Sequence, residues 1–307
     1  MEEKFIATML SHALGDALGA PFEGMSTKPN LKEEIILKRD FYKYTDDTIM
    51  SLIIARSIVK NGKYNPEDIA KGYLEWLYSG DLRGIGVTTY SALRNLDLSK
   101  DYRRSGIINK WAAGNGVAMR IHPIALFLIK APLDELYETI RVESYITHRN
   151  ELAISGAFAV ALMIKRAVEA KKKEEVIEYA IKNLEEFGIE NRVYDSLIQA
   201  LDLYNKGEEY FGAVYKLGNS GFVVHTVSLT AFTFLVSRSV METIINLIRA
   251  GGDTDTNAAI GAAIAGAFYG LETDIETRSY SLESRDEIIS LAKELYKLAI
   301  GQEKKNS

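Results

Sequence analysis

Apolar residues recur along most of this chain at the three- and four-residue spacing of an α-helix. The first such run extends from Phe5 to Leu18, and Pro21 ends it. Similar runs continue through the sequence, and the pattern therefore predicts an all-α fold. The further predicted helices are residues 49–59, 69–78, 88–96, 121–129, 133–143, 152–170, 176–187, 193–204, 227–236 and 288–298, with one short β-like piece at residues 218–225.

One segment, residues 258–270, has no charged side chain and consists almost entirely of Ala, Gly and Ile. A helix that is apolar on all sides has no solvent-facing side, so this one is predicted to lie at the centre of a larger helical body. Gly261 and Gly266 would let neighbouring backbones approach it closely. We therefore expect a single compact multi-helix domain, residues 1–301, around this central apolar helix. The polar end of the chain, residues 302–307, is predicted to be a disordered tail.

Two acidic clusters begin predicted core helices. Asp253 and Asp255 follow a Gly-Gly pair and open the central helix, while Asp46 and Asp47 open the helix of residues 49–59. An Asp at a helix start is ordinarily a cap, because its side chain satisfies free backbone N–H groups. Two clusters of the same design, both beside Thr hydroxyls, instead suggest one shared site. An all-oxygen set with four carboxylates would balance two divalent cations, Mg²⁺ or Mn²⁺, and this arrangement is typical of hydrolysis.

The composition restricts the classes of function. The chain has 307 residues, 47% of them apolar, which is enough for one large core. Its 37 Lys and Arg against 42 Asp and Glu give a net charge of −5, with no basic face for nucleic acid or membrane. The lack of cysteine excludes disulfides and thiolate chemistry, and no apolar run reaches the ~20 residues of a membrane span. We expect a cytoplasmic protein.

Other polar residues are ambiguous when each is taken alone. Glu23 follows Pro21-Phe in a Gly-flanked loop, where a carboxylate is ordinarily a surface group. Asp16 lies on an apolar helix, and we expect it to fix a neighbouring loop by hydrogen bonds. The Gly114-Asn-Gly116 turn could bind a diphosphate, although no strand precedes it as in a Rossmann fingerprint. His148 precedes a helix, where capping is an ordinary role.

Five short motifs nevertheless occur together in a specific order. They are Gly15-Asp-Ala-Leu-Gly19 with Glu23, Tyr44-Thr-Asp-Asp-Thr48, Gly114-Asn-Gly-Val-Ala-Met-Arg120, Thr147-His148, and Ala250-Gly-Gly-Asp-Thr-Asp-Thr-Asn257. In this order they resemble the ADP-ribosylglycohydrolase family, which includes the dinitrogenase-reductase-activating glycohydrolase. The resemblance extends from about residue 5 to residue 270.

The resemblance implies an all-α enzyme with a binuclear Mg²⁺ or Mn²⁺ centre. Such an enzyme hydrolyses the bond between the ribose anomeric carbon of ADP-ribose and an acceptor, either an ADP-ribosylated protein side chain or an acetyl ester. It also implies the roles of particular residues. The metal ligands would be Thr45, Asp46, Asp47, Asp253, Asp255 and Thr256; the catalytic residues Glu23, Asp47 and Asp253; and the substrate contacts Gly114, Asn115 and Gly116 (diphosphate), His148 (ribose or diphosphate) and Phe222 (adenine).

The sequence departs from the family pattern in three places. Gly84 stands where many relatives carry a loop Asp, which affects the expected acceptor preference and rate. Ala112 and Ala113 offer no side-chain donors beside the glycine turn, and His225 is an uncommon choice after Phe222.

Other interpretations of the same residues stay open. The chain could be a non-catalytic ADP-ribose-binding or crystallin-like structural relative, although all six ligand positions are intact. It could instead be a metal-dependent nucleotide phosphohydrolase, or a helical bundle in which every one of these Asp residues is a cap. No motif indicates the acceptor linkage, the choice between Mg²⁺ and Mn²⁺, or the oligomeric state.

Overall fold

The computed structural model describes the backbone of residues 1–306 and the side chains of residues 1–301. Its helices are α1 (Glu2–Gly19), α2 (Glu33–Leu37), α3 (Asp46–Asn61), α4 (Pro66–Ser79), α5 (Val87–Ser99), α6 (Tyr102–Ser105), α7 (His122–Phe127), α8 (Leu133–Ser144), α9 (Glu151–Ala167), α10 (Glu174–Glu186), α11 (Arg192–Asn205), α12 (Tyr210–Leu217), α13 (Val223–Val236), α14 (Val240–Ala250), α15 (Thr254–Tyr269), α16 (Thr273–Ser279) and α17 (Arg285–Asn306). Short 3₁₀ turns follow α1 and precede α7. The predicted tail, residues 302–307, lies outside the residues whose side chains are described.

The all-α prediction is confirmed. Over residues 1–306, extended pairing is limited to isolated bridges, which join Tyr42 to Leu282, Ile107 to His148 and Gly114 to Phe222. The predicted β-like piece at residues 218–225 was wrong. Only Phe222 pairs there, and α13 begins immediately after it, because the residues from Val223 onward continue the helical spacing of buried side chains.

Helix α15 is the centre of the fold, as predicted. Its residues from Thr254 to Ala267 are all buried. Helix α1 packs directly on it, and a Cβ atom on Gly15 or Gly19 would overlap the carbonyl oxygens of Ala258 or Thr254. The absence of side chains at these glycines therefore allows the two backbones to touch.

The two central helices are antiparallel, because Gly19 at the end of α1 meets Thr254 at the start of α15, while Ala7 meets Gly266 near its other end. The loop that follows α1 and the loop that precedes α15 consequently lie side by side. Their backbones are bonded directly, since Gly24 N donates to Gly252 O at 2.8 Å. This packing determines where Glu23 lies.

None of the helices in the described part of the chain combines the length and the apolar character that a membrane crossing requires.

Candidate active site

The two acidic clusters, separated by roughly two hundred residues in the sequence, meet in one cavity of about 460 Å³. Its acidic wall comes from the loop after α1 and from the first turns of α3 and α15. The residues on this wall are Glu23, Asp46, Asp47, Asp253, Asp255 and Thr256. The facing wall includes Gly114, Asn115, Gly116 and His148. The expectation that the two clusters share a site thus agrees with the geometry.

Three carboxylates are especially close. One oxygen each from Glu23, Asp253 and Asp255 lies within 4.8 Å of the other two, a spacing that suits a single cation. Asp46 and Asp47 lie across the cavity, near enough that negative charge on Asp253 raises the pKa of both carboxyl groups. The cavity therefore concentrates five negative groups from three segments of the chain.

These carboxylates are not ordinary helix caps. Thr45 is the N-cap residue of α3 and Asp253 that of α15, and neither side chain accepts a capping hydrogen bond. Asp47 Oδ1 is buried without any hydrogen-bond partner. Asp255 Oδ1 accepts a local bond, from Thr256 N at 2.9 Å. A buried, unpartnered carboxylate oxygen is costly unless a cation or a proton satisfies it.

Asp16 holds the first acidic cluster in place. Its carboxylate accepts from the backbone N–H of Thr45 at 2.9 and 3.0 Å and of Thr48 at 3.1 Å. It also accepts from the hydroxyls of Thr45 at 2.8 Å and Thr48 at 2.6 Å. The predicted hydrogen bonds of Asp16 to a neighbouring segment are confirmed, and that segment is the N-cap and first turn of α3, which carry Asp46 and Asp47.

Burial and mutual repulsion make these carboxyl groups weak acids. Burial, followed by the charges of Asp16 and Asp253, raises the pKa of Asp46 to about 8. Burial and the charge of Asp253 raise the pKa of Asp255 to about 9. Burial and Asp16 raise the pKa of Asp47 well above its ordinary value. Without a cation, these carboxyl groups would therefore retain protons at neutral pH, because no positive charge among the described residues of the cavity wall stabilises the ionised carboxylates.

Glu23 differs from its acidic neighbours because it is exposed at the mouth of the cavity. Partial burial, followed by the negative charge of Asp253, raises the pKa of its carboxyl group. A more basic carboxylate that remains accessible to water is suited to accept a proton.

The facing wall is joined to the acidic wall through Asn115. Its Nδ2 donates to Asp253 Oδ2 at 2.7 Å and to Thr226 Oγ1 at 2.9 Å, while its backbone N–H donates to Gly221 O at 3.0 Å. Gly221 also lies close to this carboxylate, because a Cβ there would be 2.9 Å from Asp253 Oδ2. The glycine turn and the Asp253 loop therefore form one connected unit.

A buried ion pair organises the wall that holds His148. Arg120 and Glu143 are both fully buried, and Arg120 Nε donates to Glu143 Oε1 at 2.9 Å. The same guanidinium donates to Gly116 O and, at 2.8 Å, to Thr147 Oγ1. Arg120 therefore links the glycine turn to the segment before α9.

This network also selects the tautomer of His148. Thr147 Oγ1 accepts from Arg120, which can only donate, and lies 2.9 Å from His148 Nδ1. The Thr147 hydroxyl, which already accepts from Arg120, then donates its own proton to His148 Nδ1. Nδ1 is therefore the acceptor nitrogen of the ring, and the ring proton lies on Nε2. Burial and the charge of Arg120 lower the pKa of His148 to about 3, so the ring is neutral. His148 is thus a neutral N–H donor beside Gly114 and Gly116.

Sequence reasoning missed Arg120, Glu143 and the Asn115–Asp253 bond as parts of the site. An Arg within an otherwise apolar stretch, Val117 to Ile121, was the available signal, since a buried Arg requires an acidic partner. Its partner could not be read from spacing, because Glu143 lies on α8.

Two predicted residues flank the cavity rather than line it. The Thr45 hydroxyl contacts Asp16 and Asp47. The Phe222 ring lies between Arg192, whose Cζ is 4.9 Å from the ring centroid, and His225, at 5.1 Å between centroids.

Gly84 lies directly over the first acidic cluster, with φ of +80°. A Cβ at this position would overlap Asp46 Oδ1 and come 2.8 Å from Thr45 Cβ. Both the backbone conformation and the lack of space therefore require glycine here. This position supplies no carboxylate to the mouth of the cleft.

The fold and the site define the class, an all-α protein with an oxygen-rich acidic cleft. Residues 1–305 match the sequence profile of the ADP-ribosylglycohydrolase family, so the chain belongs to this family and is a hydrolase. The resemblance described above is confirmed.

Similar proteins align along nearly the whole chain. An uncharacterized protein of Archaeoglobus fulgidus is 32% identical, with 97% of each chain covered. The ADP-ribosylhydrolase ARH3 of Gallus gallus is 26% identical over 96% of this chain and 93% of its own. The ADP-ribosyl-(dinitrogen reductase) glycohydrolase of Rhodospirillum rubrum is 26% identical over 89% of this chain and 87% of its own. A solved structure described as an ADP-ribosylglycohydrolase-related protein complex has a TM-score of 0.78 and 26% identity. The match covers 97% of this chain and 98% of the chain in that structure.

Proposed function

We propose that this enzyme hydrolyses the bond between the anomeric ribose carbon of ADP-ribose and an acceptor, on an ADP-ribosylated protein or an ADP-ribose ester. The observation that carries the proposal is the convergence of the two Asp clusters and Glu23 in one cavity, opposite a glycine turn and a neutral histidine donor. The names of the Gallus gallus and Rhodospirillum rubrum relatives support this substrate class.

The donor set fits two divalent cations. The acidic wall of the cavity offers only oxygen ligands, Asp47 has an unpartnered buried oxygen, and Glu23, Asp253 and Asp255 approach within 4.8 Å of one another. Carboxylate and hydroxyl oxygens suit Mg²⁺ or Mn²⁺. We propose as ligands Thr45, Asp46, Asp47, Asp253, Asp255 and Thr256, with the Glu23 carboxylate close by. When bound, the cations supply charge neutralisation and activation of water.

The protein's own residues would then divide the remaining work. Glu23, exposed and with a raised pKa, would accept the proton of the attacking water. Asn115 orients Asp253 through its 2.7 Å bond, so that this carboxylate keeps one position during turnover. Asp47 is held by the loop that Asp16 anchors.

The opposite wall would hold the diphosphate and ribose of the substrate. Gly114 and Gly116 let a substrate oxygen approach the backbone closely, and a Cβ on Gly116 would lie 2.5 Å from His148 Cε1. The Nε2–H of His148 would donate to a diphosphate or ribose oxygen without carrying charge. Phe222 would support the adenine on its exposed ring surface. A cytoplasmic location also stays a proposal, supported by a chain without cysteine.

The proposal is tested by product analysis after incubation with a panel of arginine-linked, serine-linked and acetyl-ester ADP-ribose compounds. We expect free ADP-ribose from at least one compound, complete inhibition by EDTA, and recovery on addition of Mg²⁺ or Mn²⁺. Release of inorganic phosphate in place of ADP-ribose would instead indicate a nucleotide phosphohydrolase.

Single-residue variants test whether the release of ADP-ribose takes place in this cavity. Asp253→Asn should lower turnover by at least 10³-fold, because electrostatic and metal-holding groups of this kind contribute several kcal/mol to catalysis. Asp134→Asn, an exposed carboxylate in the first turn of α8, is the matched control and should retain full activity. Glu23→Gln should keep ADP-ribose binding and lose turnover. Unchanged activity of Asp253→Asn would refute the site.

A further inference from the structure

A cationic and apolar surface borders the cleft on the side of His148 and the glycine turn. We call it the rim surface and define it by Arg104, Ile108, Lys110, Trp111 and Arg149. In the described part of the chain none of its three cations is paired with a carboxylate. They also do not line the cavity. Their charge therefore serves neither an internal ion pair nor the acidic wall.

Two large apolar side chains lie on the same loop as Lys110. Ile108 is 70% exposed and Trp111 is 80% exposed. Lys110 Nζ lies 4.7 Å from the Trp111 ring centroid. Trp and Arg are among the residue types that contribute most to binding at protein interfaces.

The rim surface is held against the wall of the cleft. Ile107 N donates to Thr147 O at 2.9 Å, and Arg149 N donates to Ile107 O at 3.0 Å, on both sides of His148. Farther along, Asn150 Nδ2 donates to Asn109 O at 3.0 Å.

The loop itself is also ordered by its own bonds. Asn109 Oδ1 accepts from Trp111 N at 2.8 Å and from Ala112 N at 2.9 Å. Trp111 is only three residues before Gly114, which lines the cavity. The surface is therefore preformed and fixed at the edge of the site, so binding would not require the loop to become ordered.

The local charge contrasts with that of the whole chain. The net charge of the chain is −5, so the chain as a whole does not attract an anionic partner to the cavity. The cations of the rim surface provide the complementary charge at its edge.

We propose that the rim surface docks an acidic segment of the ADP-ribosylated protein, next to the modified residue that enters the cleft. This inference rests on the proposed function. The segment would place its carboxylates against Arg104, Lys110 and Arg149, and an apolar side chain against Trp111 and Ile108.

The test compares two ADP-ribosylated peptides of one sequence, in which four glutamates beside the modified residue are retained or replaced by glutamine. We expect KM to be about 5–10-fold lower for the glutamate peptide at low salt, with similar kcat, because several exposed ion pairs each contribute modestly. The difference should disappear in 0.5 M NaCl, where exposed charges are screened. Equal KM values at low salt would overturn the proposal.

Charge-reversal variants test whether the rim surface causes the lower KM of the glutamate peptide. Arg104→Glu/Lys110→Glu should abolish the preference for the glutamate peptide, and Trp111→Ala should raise KM for both peptides. Both variants should hydrolyse a small ADP-ribose ester normally. Lys172→Glu is the matched control, because this exposed lysine follows the far end of α9, whose 17 residues rise about 25 Å from the His148 end. A preference that survives the double reversal, or that Lys172→Glu also abolishes, would contradict the assignment.

The fluorescence anisotropy of the same two peptides, labelled with fluorescein, keeps this test independent of turnover. If neither peptide is hydrolysed, the proposed function fails, whereas a 5–10-fold affinity preference for the glutamate peptide that Arg104→Glu/Lys110→Glu removes still supports the docking surface. Tighter binding of a ten-nucleotide oligothymidylate than of the glutamate peptide would show that the partner is a nucleic acid and overturn the proposal.

Discussion

Replacing Asp16 by Asn should stabilise the metal-free protein while it weakens the metal site. Asp16 is fully buried, and burial raises the pKa of its carboxyl group from 3.8 to about 6. This happens although the backbone N–H groups and the hydroxyls of Thr45 and Thr48 all donate to the carboxylate. A carboxyl group with a raised folded-state pKa destabilises the native state progressively as the pH rises from its unfolded value through the folded one. The ionised Asp16 therefore lowers the free energy of unfolding at neutral pH.

The magnitude follows from the size of the shift. About two pKa units at about 1.4 kcal/mol each correspond to about 3 kcal/mol, fully expressed above pH 6 and absent below pH 4. Asn cannot ionise, so it avoids this loss of stability. Its Oδ1, in the place of Asp16 Oδ2, still accepts from the N–H groups of Thr45 and Thr48. Its Nδ2 donates to the Thr45 hydroxyl but no longer accepts from Thr45 N, at a loss of about 1 kcal/mol in hydrogen bonding. We expect a net gain of about 2 kcal/mol at pH 7.5.

Urea unfolding in EDTA at several values between pH 4.5 and pH 7.5 measures this effect. The difference in unfolding free energy between Asp16→Asn and the natural protein should increase by about 2 kcal/mol across the range, because about 1 kcal/mol is already expressed at pH 4.5. Asp16→Ala is the comparison variant. It leaves two buried backbone N–H groups without acceptors, at about 1–3 kcal/mol each, and should lose most of the gain.

Metal binding should change in the opposite direction. Asp16→Asn removes a negative charge that lies against the loop of Asp46 and Asp47, and we expect Mg²⁺ or Mn²⁺ affinity to fall about 10-fold by calorimetric titration. A difference in stability that does not vary with pH would refute the reasoning, as would a variant that is less stable than the natural protein at pH 7.5.

The acidic cavity should make metal binding strongly dependent on pH. Because the pKa values of Asp46 and Asp255 are raised to about 8 and about 9, the metal-free site holds protons at pH 7 that cations must displace. The apparent Mg²⁺ affinity should therefore rise up to about pH 9 with measurable proton release, and an affinity constant from pH 6 to pH 9 would contradict this. The same shifts predict that the metal-free protein loses stability as the pH rises toward 9, and that saturating Mg²⁺ cancels the loss. His12 should make the protein sensitive to acid: burial lowers the pKa of its ring from 6.5 to about 4, so about 3 kcal/mol of stability, present above pH 6.5, is lost as the pH falls to about 4. His12→Gln keeps a donor for the carbonyl that His12 contacts and should remove this part of the urea-unfolding pH dependence; parallel curves for the two proteins would show otherwise. Arg120→Leu should cost about 3–5 kcal/mol because it leaves Glu143 buried without a cation, and adding Glu143→Leu should recover part of that loss; a single variant that unfolds at the same urea concentration as the natural protein would disprove the ion pair's role.

Local signals in the sequence determined the helical class and the position of both acidic clusters. Residues 258–270 contain no charge, and a helix without a polar face can only be buried, so the central position of α15 followed from composition alone. Asp46, Asp47, Asp253 and Asp255 were placed at helix starts by the residues beside them. The motif order added their expected roles.

The tertiary structure alone decided which of these groups face one another. The antiparallel contact of α1 with α15, which depends on Gly15 and Gly19, brings Glu23 within reach of Asp253 and Asp255. Contacts such as Arg120 with Glu143 join residues on different helices and depend on how those helices pack, which helical periodicity does not encode. Spacing along the chain specifies the face of a helix on which a side chain lies, whereas the partner across that face is determined by packing of the whole core.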